Sequence, residues 1–166
     1  MITMQITNVE QFLHTLLHTT RFDKFLLEEA MISSLATYKI DGHINSGALS
    51  DGDTKSLGLN DCDCLPFSYL REKCISLMHD LREGGSFHFT FKLSPDNLAK
   101  TVSAINPRFS ADEVTGLYMN FRLKRGLLIC TSGVSHRIFS IDKTIDRAWD
   151  NMTRKFLLKC DFDLIE

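Results

Sequence analysis

Two long segments rich in apolar residues, each introduced by a short amphipathic helix, constrain the fold of this chain more than any other feature. The first runs from Phe25 to Ile44 and the second from Val114 to Ile141. Both contain alternating apolar and polar residues, which is typical of paired antiparallel strands. The repetition predicts an α+β fold in a single domain, residues 1–166, made of two related halves at about 1–65 and about 66–166.

Each predicted half begins with a strand and a capped helix. In the first half, Met4 and Ile6 alternate with polar residues, and Asn8 is placed to cap the helix that follows. In the second half, phenylalanine occupies every second position over 87–91. Ser94, followed by proline at the first helical position, then predicts another helix start. The predicted order is β-α-β-β, a polar loop, α, then β-α-β-β-β and α, with an antiparallel sheet and its helices on one face.

Turn residues divide the two long segments into strands. Asp41-Gly42 is a strong turn dipeptide and predicts a turn at the end of the first segment. In the second segment, Thr131–His136 predicts a bend or bulge, followed by a further strand over Ser135–Ile141. The final helix is expected to pack a single apolar face on the sheet, formed by Ile145, Trp149, Met152 and Phe156.

Composition excludes several classes of protein. The net charge of −2 argues against strong nucleic-acid or anionic-membrane binding, because counterion release needs a dense basic surface. The simplest interpretation of the basic residues of the second half is a solvated sheet face; these are Lys92, Arg122, Lys124, Arg125 and Arg137. No apolar run approaches the roughly 20 residues that span a bilayer. Five cysteines without a signal peptide ahead of them favour a reduced, cytoplasmic protein.

Neither of two possible metal motifs has a full ligand set in the sequence. His14 and His18 stand four apart on the first helix, but no third ligand is identifiable. Cys62 and Cys64 lie among aspartates, and Cys74 follows on the next helix, but a C-x-C pair without a second pair is weak evidence. We therefore expect no metal and no cofactor.

Four residues are the candidate binding residues: Asp41, His43, Asn45 and His136. Asp41 and His43 would face the same side of a strand, where they could polarise each other in acid–base chemistry. The turn at Asp41-Gly42 is the favoured alternative. His136 follows Ser132, but without a G-x-S-x-G elbow or an obvious acid partner, so a serine nucleophile is not expected.

Three segments carry a resemblance to a known family: FDKFLLEEAMISSLATYKIDGHIN (Phe22–Asn45), FKLSPDN (Phe91–Asn97) and DKTIDRAWDNMTRKFL (Asp142–Leu157). They resemble an uncharacterised bacterial family of similar length, a domain of unknown function found mainly in Gram-positive anaerobes. The resemblance spans nearly the whole chain apart from 46–65 and implies cytoplasmic bacterial origin, with no activity, ligand or catalytic residue. Separately, the repeated β-α-β-β order resembles half-units of DNA sliding clamps.

Two functional hypotheses follow. The first is a non-enzymatic binding or assembly module with a clamp-like fold, which joins a protein partner or a second copy through open sheet edges. The alternative is a small enzyme or ligand-binding protein that uses the Asp41/His43 region or a concavity of the sheet. A deep pocket lined by His43 or His136 would favour the alternative, and a shallow curved sheet with complementary edges would favour the first.

Overall fold

The computed structural model describes residues 1–110 and 112–166, and these form one seven-stranded antiparallel sheet with five helices. The elements in chain order are β1 (Thr3–Ile6), α1 (Val9–His18), β2 (Leu26–Ser33), β3 (Thr37–Asp41), α2 (Asp51–Ser56), α3 (Phe67–Met78), β4 (Ser86–Lys92), α4 (Pro95–Ile105), β5 (Val114–Lys124), β6 (Leu127–His136), α5 (Thr144–Lys159) and β7 (Leu164–Ile165). The strand order is β3-β2-β4-β5-β6-β1-β7. The predicted α+β class is confirmed.

The predicted repetition is visible in the element order. β1-α1-β2-β3 and β4-α4-β5-β6 are two β-α-β-β units, and their strands enter the same sheet. The units meet twice, because β2 pairs with β4 and β1 pairs with β6. The second unit has one strand fewer than predicted, and the two-residue β7 was not predicted.

One face of the sheet is covered by helices through a cluster of aromatic rings. Phe12 of α1 lies 4.9 Å from Phe121 of β5, and Phe67 of α3 meets Phe91 of β4 edge to face at 5.3 Å between ring centroids. All four side chains are fully buried. Each buried phenylalanine contributes roughly 1.5–3 kcal/mol relative to exposure, so this face is the main source of stability.

The last helix packs on the same sheet through a face that differs slightly from the predicted one. Trp149 is 4% exposed, as predicted, and its indole N–H donates to the Tyr118 carbonyl at 2.8 Å. Met152, predicted on this face, is 41% exposed. The buried positions instead repeat every fourth residue, at Ile145, Trp149, Thr153 and Leu157. The face therefore drifts around the helix, since four residues slightly exceed one turn.

Both predicted helix caps are confirmed. The Asn8 side chain accepts a hydrogen bond from the Gln11 backbone N–H at 3.0 Å. Ser94 accepts one from the Asn97 N–H at 3.4 Å, with Pro95 at the first helical position. These bonds satisfy backbone donors that a helix start leaves without partners.

The predicted turn at Asp41-Gly42 is wrong. The β2–β3 hairpin turns earlier, where the Ser34 N–H donates to the Ala36 carbonyl at 3.0 Å. Asp41 is the last residue of β3, and a Cβ at Gly42 would lie 1.7 Å from the Leu27 carbonyl oxygen. Glycine is therefore needed at position 42 because two backbones approach each other closely there, and not because the residue adopts a positive φ.

The predicted bend at Thr131–His136 and the strand over Ser135–Ile141 are also wrong. β6 continues to His136 and pairs with β5 up to Val114, with one register irregularity between Val114 and Gly116. The first half of β6, residues 128–131, also pairs with β1. The ladder with β5, which runs along all of β6, outweighs the weak strand preference of Ser132, Gly133 and Ser135.

The polar segment between β3 and α3 is ordered. It contains α2, whose start is a capping box formed by Ser50 and Asp53. After α2 the chain folds back onto the end of the sheet, and Leu59 and Cys64 are buried there. Among the described residues, no helix is both long enough and apolar enough to cross a membrane.

Candidate functional site

A polar cluster lies where the chain leaves β3 and where it returns before α3. His43 and Cys64 form an isolated antiparallel bridge, and the Ile44 N–H donates to the Asp63 carbonyl at 2.8 Å. Gly42 makes this geometry possible, because it lets the chain pass directly against the backbone of β2. Residues some twenty positions apart in sequence are thus placed side by side.

Asp41 and His43 are in direct contact. The Asp41 Oδ1 atom accepts from the His43 backbone N–H at 3.0 Å and lies 2.6 Å from the ring nitrogen Nδ1. The backbone hydrogen bond, reinforced by that of the ring, lowers the pKa of Asp41. Because a carboxylate only accepts, Nδ1 carries the proton, and in the neutral ring Nε2 offers a lone pair. Nε2 lies 4.0 Å from a Glu28 carboxylate oxygen.

Lys92 lies at the centre of these groups and is 7% exposed. Its Nζ donates to Asp63 Oδ2 at 2.7 Å and lies 3.8 Å from Glu28 Oε1. Glu28 stands at a β-bulge, where the β2–β4 register shifts between Leu27 and Glu29. We call the six residues Glu28, Asp41, His43, Asp63, Cys64 and Lys92 the Lys92 cluster.

The Lys92–Asp63 pair is charged at neutral pH. Burial alone would lower the pKa of Lys92, but the hydrogen bond to Asp63 and the surrounding negative charges outweigh it and raise the pKa. Burial likewise would raise the pKa of Asp63, but the hydrogen bond and charge of Lys92 lower it. Each charge therefore stabilises the other against desolvation.

The buried thiol of Cys64 completes the donor set. Burial raises the pKa of Cys64 to about 11, so the free protein holds a neutral thiol there. The ligand atoms of His43, Asp63 and Cys64 all lie within 4.8 Å of one another. One imidazole, one carboxylate and one sulfur form a donor set that proteins use for zinc.

A surface cavity of about 380 Å³ adjoins the cluster. His43, Asn45 and Asp63 line it together with Leu59 and Cys62. The structure therefore brings three of the four predicted site residues to one region, since Asp41 contacts His43 directly.

His136, the fourth predicted residue, lies at a different place. It ends β6, and its Nε2 lies 3.1 Å from Asp146 Oδ2 of α5. It lines another cavity, of about 240 Å³, together with Phe109 and Phe139. The structure therefore does not bring His136 to the Lys92 cluster.

The Ser132 hydroxyl links neighbouring elements of the fold through hydrogen bonds. Its hydroxyl accepts from the Ile2 N–H at 2.9 Å and donates to Asp150. Ser132 is buried; its bond with Ile2 holds the start of β1 against β6, and its bond with Asp150 joins β6 to α5.

Four members of the cluster are not among the site residues predicted from the sequence: Glu28, Asp63, Cys64 and Lys92. Lys92 stands one position after the alternating phenylalanines, and nothing local indicates that it is buried. Cys64 was considered only as part of a pair with Cys62, which lies outside the group of close donors. The signal that could have found the site is the presence of metal-binding residue types at both ends of one polar loop, with Asp41 and His43 at one end and Asp63 and Cys64 at the other.

Comparison with known proteins gives a single finding. The family described as a family of unknown function (DUF5721) matches residues 15–164 of the 166. No curated protein and no solved structure matches the chain, so the resemblance to DNA sliding clamps gains no support. Because the match covers nearly the whole chain, this protein belongs to the DUF5721 family of unknown function.

Proposed function

We propose that this protein is a ligand-binding protein whose Lys92 cluster holds a divalent transition-metal ion, with zinc as the ion that fits best. The observation that carries the proposal is the approach of the His43, Asp63 and Cys64 donor atoms to within 4.8 Å of one another. The convergence of these donor side chains supports this alternative over a pure assembly module, and the open surface cavity beside them gives a ligand access.

The donor set is the first argument for zinc. Thiolate and imidazole together select zinc over magnesium or calcium, which prefer oxygen ligands. Ligands on a tetrahedral zinc lie about 3.3–3.8 Å apart, given bonds of about 2.0–2.3 Å. The three side chains therefore need to close by no more than about 1.5 Å.

The surroundings of the donors are the second argument. Asp41 holds Nδ1 of His43, which is the carboxylate–histidine arrangement that orients zinc ligands. Asp63 binds Lys92 through Oδ2, so its other oxygen is available for a metal. Glu28 or a water would supply the fourth position.

This proposal replaces the expectation that the chain binds no metal. That expectation rested on the missing partners of Cys62 and Cys64 in the sequence. The proposed ligands use Cys64 alone, with His43 as the partner that the fold supplies.

The remaining predictions from the sequence concern the number of domains, the location, nucleic-acid binding and self-association, and we keep them as proposals. Residues 1–166 act as a single domain, because both units share one sheet. A cytoplasmic location is supported by five cysteines that are all free thiols. The expectation of no strong nucleic-acid binding stays a prediction, as does self-association through the open sheet edges, which in this fold are β3 and β7.

Zinc titration against a competing chromophoric chelator tests the proposal. We expect one equivalent per chain, with affinity at least about 100-fold lower in His43→Ala and in Cys64→Ser, since even outer residues of a zinc site cost 10–100-fold. Cys62→Ser is the matched control and should bind as the parent does. Cobalt(II) should show a thiolate charge-transfer band that Cys64→Ser loses. Equal zinc affinity in the parent and in Cys64→Ser would exclude the site.

A further inference from the structure

A further cavity, distinct from the two described above, lies on the helix-covered face between α4 and α5. Its volume is about 250 Å³. Met119 of β5 and Trp149 of α5 are buried in its wall, and the other apolar lining residues are Phe25, Leu93, Met152 and Phe156. A cavity of about 150 Å³ accepts benzene, so this one suits a ligand of about ten non-hydrogen atoms.

Two polar groups distinguish this cavity from a packing gap. Lys100 of α4 is exposed at its mouth, and none of the described lining residues is acidic. Thr153 of α5 belongs to the wall and is fully buried, and its hydroxyl has no hydrogen-bond partner among the described residues. A buried hydroxyl without a partner is costly, so such a group in a cavity wall indicates a missing polar partner.

We propose that this cavity binds a small apolar monocarboxylate, with its hydrocarbon part against the aromatic wall and its carboxylate at Lys100. The cationic side chain at the mouth complements the single negative charge of such a ligand. The Thr153 hydroxyl has no accessible surface in its present rotamer, so rotation of this side chain toward the cavity would bring it to a carboxylate oxygen of the ligand. This site is separate from the Lys92 cluster and does not depend on a metal.

The chain carries its own reporter for this site. Trp149 is the one tryptophan in the sequence and lines the cavity. Titration of the full chain with sodium octanoate, up to about 5 mM, should therefore give a saturable change in tryptophan fluorescence, since a ligand of about ten atoms binds weakly. Calorimetry should return the same dissociation constant.

Two variants and one analogue test the proposed polar contacts. Lys100→Met should weaken octanoate binding by about tenfold, the effect of one charge-assisted hydrogen bond, and octan-1-ol should bind the parent more weakly by a similar factor. Thr153→Val keeps the shape of the side chain and should weaken binding by about threefold. Lys155→Met removes an exposed lysine of the same helix outside the cavity and should leave binding unchanged. Thermal unfolding of each variant shows whether it is folded.

The proposal fails if the parent shows no saturable response to octanoate. It also fails if octan-1-ol binds as tightly as octanoate, or if the folded Lys100→Met variant binds octanoate as tightly as the parent does. In either case the cavity would recognise only the hydrocarbon chain and not the carboxylate. Unchanged binding in Thr153→Val would remove the hydroxyl from the site.

Discussion

Phe91 and Lys92 are neighbours in β4, and they show how differently the two faces of this sheet are buried. Phe91 is 0% exposed and lies against rings from the helices, as in its contact with Phe67. Lys92 is 7% exposed on the opposite face, where Asp63 of the returning loop meets it. Burial of the first is favourable by itself, whereas burial of the second requires partners for its charge.

The comparison separates two kinds of contribution to stability. On the helix-covered face, the stabilisation is the sum of many apolar contacts, and none of these contacts requires a particular bond direction. On the loop side, one ammonium group depends on two carboxylates that reach it from a bulge and from a distant loop. Substitutions on the helix-covered face should therefore lower the free energy of unfolding most. Substitutions in the Lys92 cluster should mainly weaken the proposed zinc binding.

Phe91→Ala should have the largest effect. Removal of the ring from a fully buried position should lower the free energy of unfolding by about 3–5 kcal/mol. Urea unfolding of purified protein measures this change. Tyr38→Ala, at an exposed position of β3, is the control and should stay within about 0.5 kcal/mol. A loss below about 1 kcal/mol for Phe91→Ala would contradict the proposed role of the aromatic face.

Gly42→Ala should come next, because a Cβ at this position meets the Leu27 carbonyl at 1.7 Å. The backbones must move apart, and we expect a loss of about 1–3 kcal/mol with weaker zinc binding. Gly52→Ala in α2 is the matched control, since a Cβ there meets nothing closer than 3.8 Å. If both variants unfold at the same urea concentration, Gly42 has no special role.

Lys92→Met should have the smallest effect on stability, about 1–2 kcal/mol at pH 7, because Asp63 is partly exposed and water compensates part of its charge. The pKa of Asp63 is lowered in the folded protein, so the pair stabilises above the unfolded-state pKa and its contribution is lost as pH falls through the folded pKa. The difference between parent and variant should therefore shrink below about pH 4.

Urea unfolding at a series of pH values measures this dependence. Lys39→Met is the control, because the Lys39–Glu29 pair is exposed and its loss should cost under about 0.5 kcal/mol. A difference for Lys92→Met that is constant over pH would assign its effect to packing and not to charge.

The strands and helices of the covered face could be predicted from the sequence, whereas the contacts that assemble the Lys92 cluster could not. Phenylalanine at every second position, a proline after Ser94 and the helical spacing around Trp149 are local signals, and each predicted its element. The turn at Asp41-Gly42 was wrong because the same dipeptide also suits a close backbone approach.

The Lys92 cluster depends on contacts between distant parts of the chain. The bridge between His43 and Cys64 joins the two ends of a loop, and no periodic pattern encodes such a contact. Glu28 is placed by a bulge that breaks the alternation of β2. Residue type alone makes Asp41, His43 and Asn45 candidates in the sequence, and only the fold brings them beside Asp63 and Lys92.

The strand order also has a consequence for synthesis of the protein. Thr3 pairs with Thr131, so β1 reaches its neighbour only after most of the chain has left the ribosome, roughly 10 s later at ordinary translation rates. During that interval Met4 and Ile6, which are buried at the end, have no sheet to enter. Sequence-distant pairing of this kind slows folding and exposes nascent apolar strands to chaperones and to aggregation. The yield of folded protein in cells should therefore depend more on translation speed and chaperone supply than its final stability suggests.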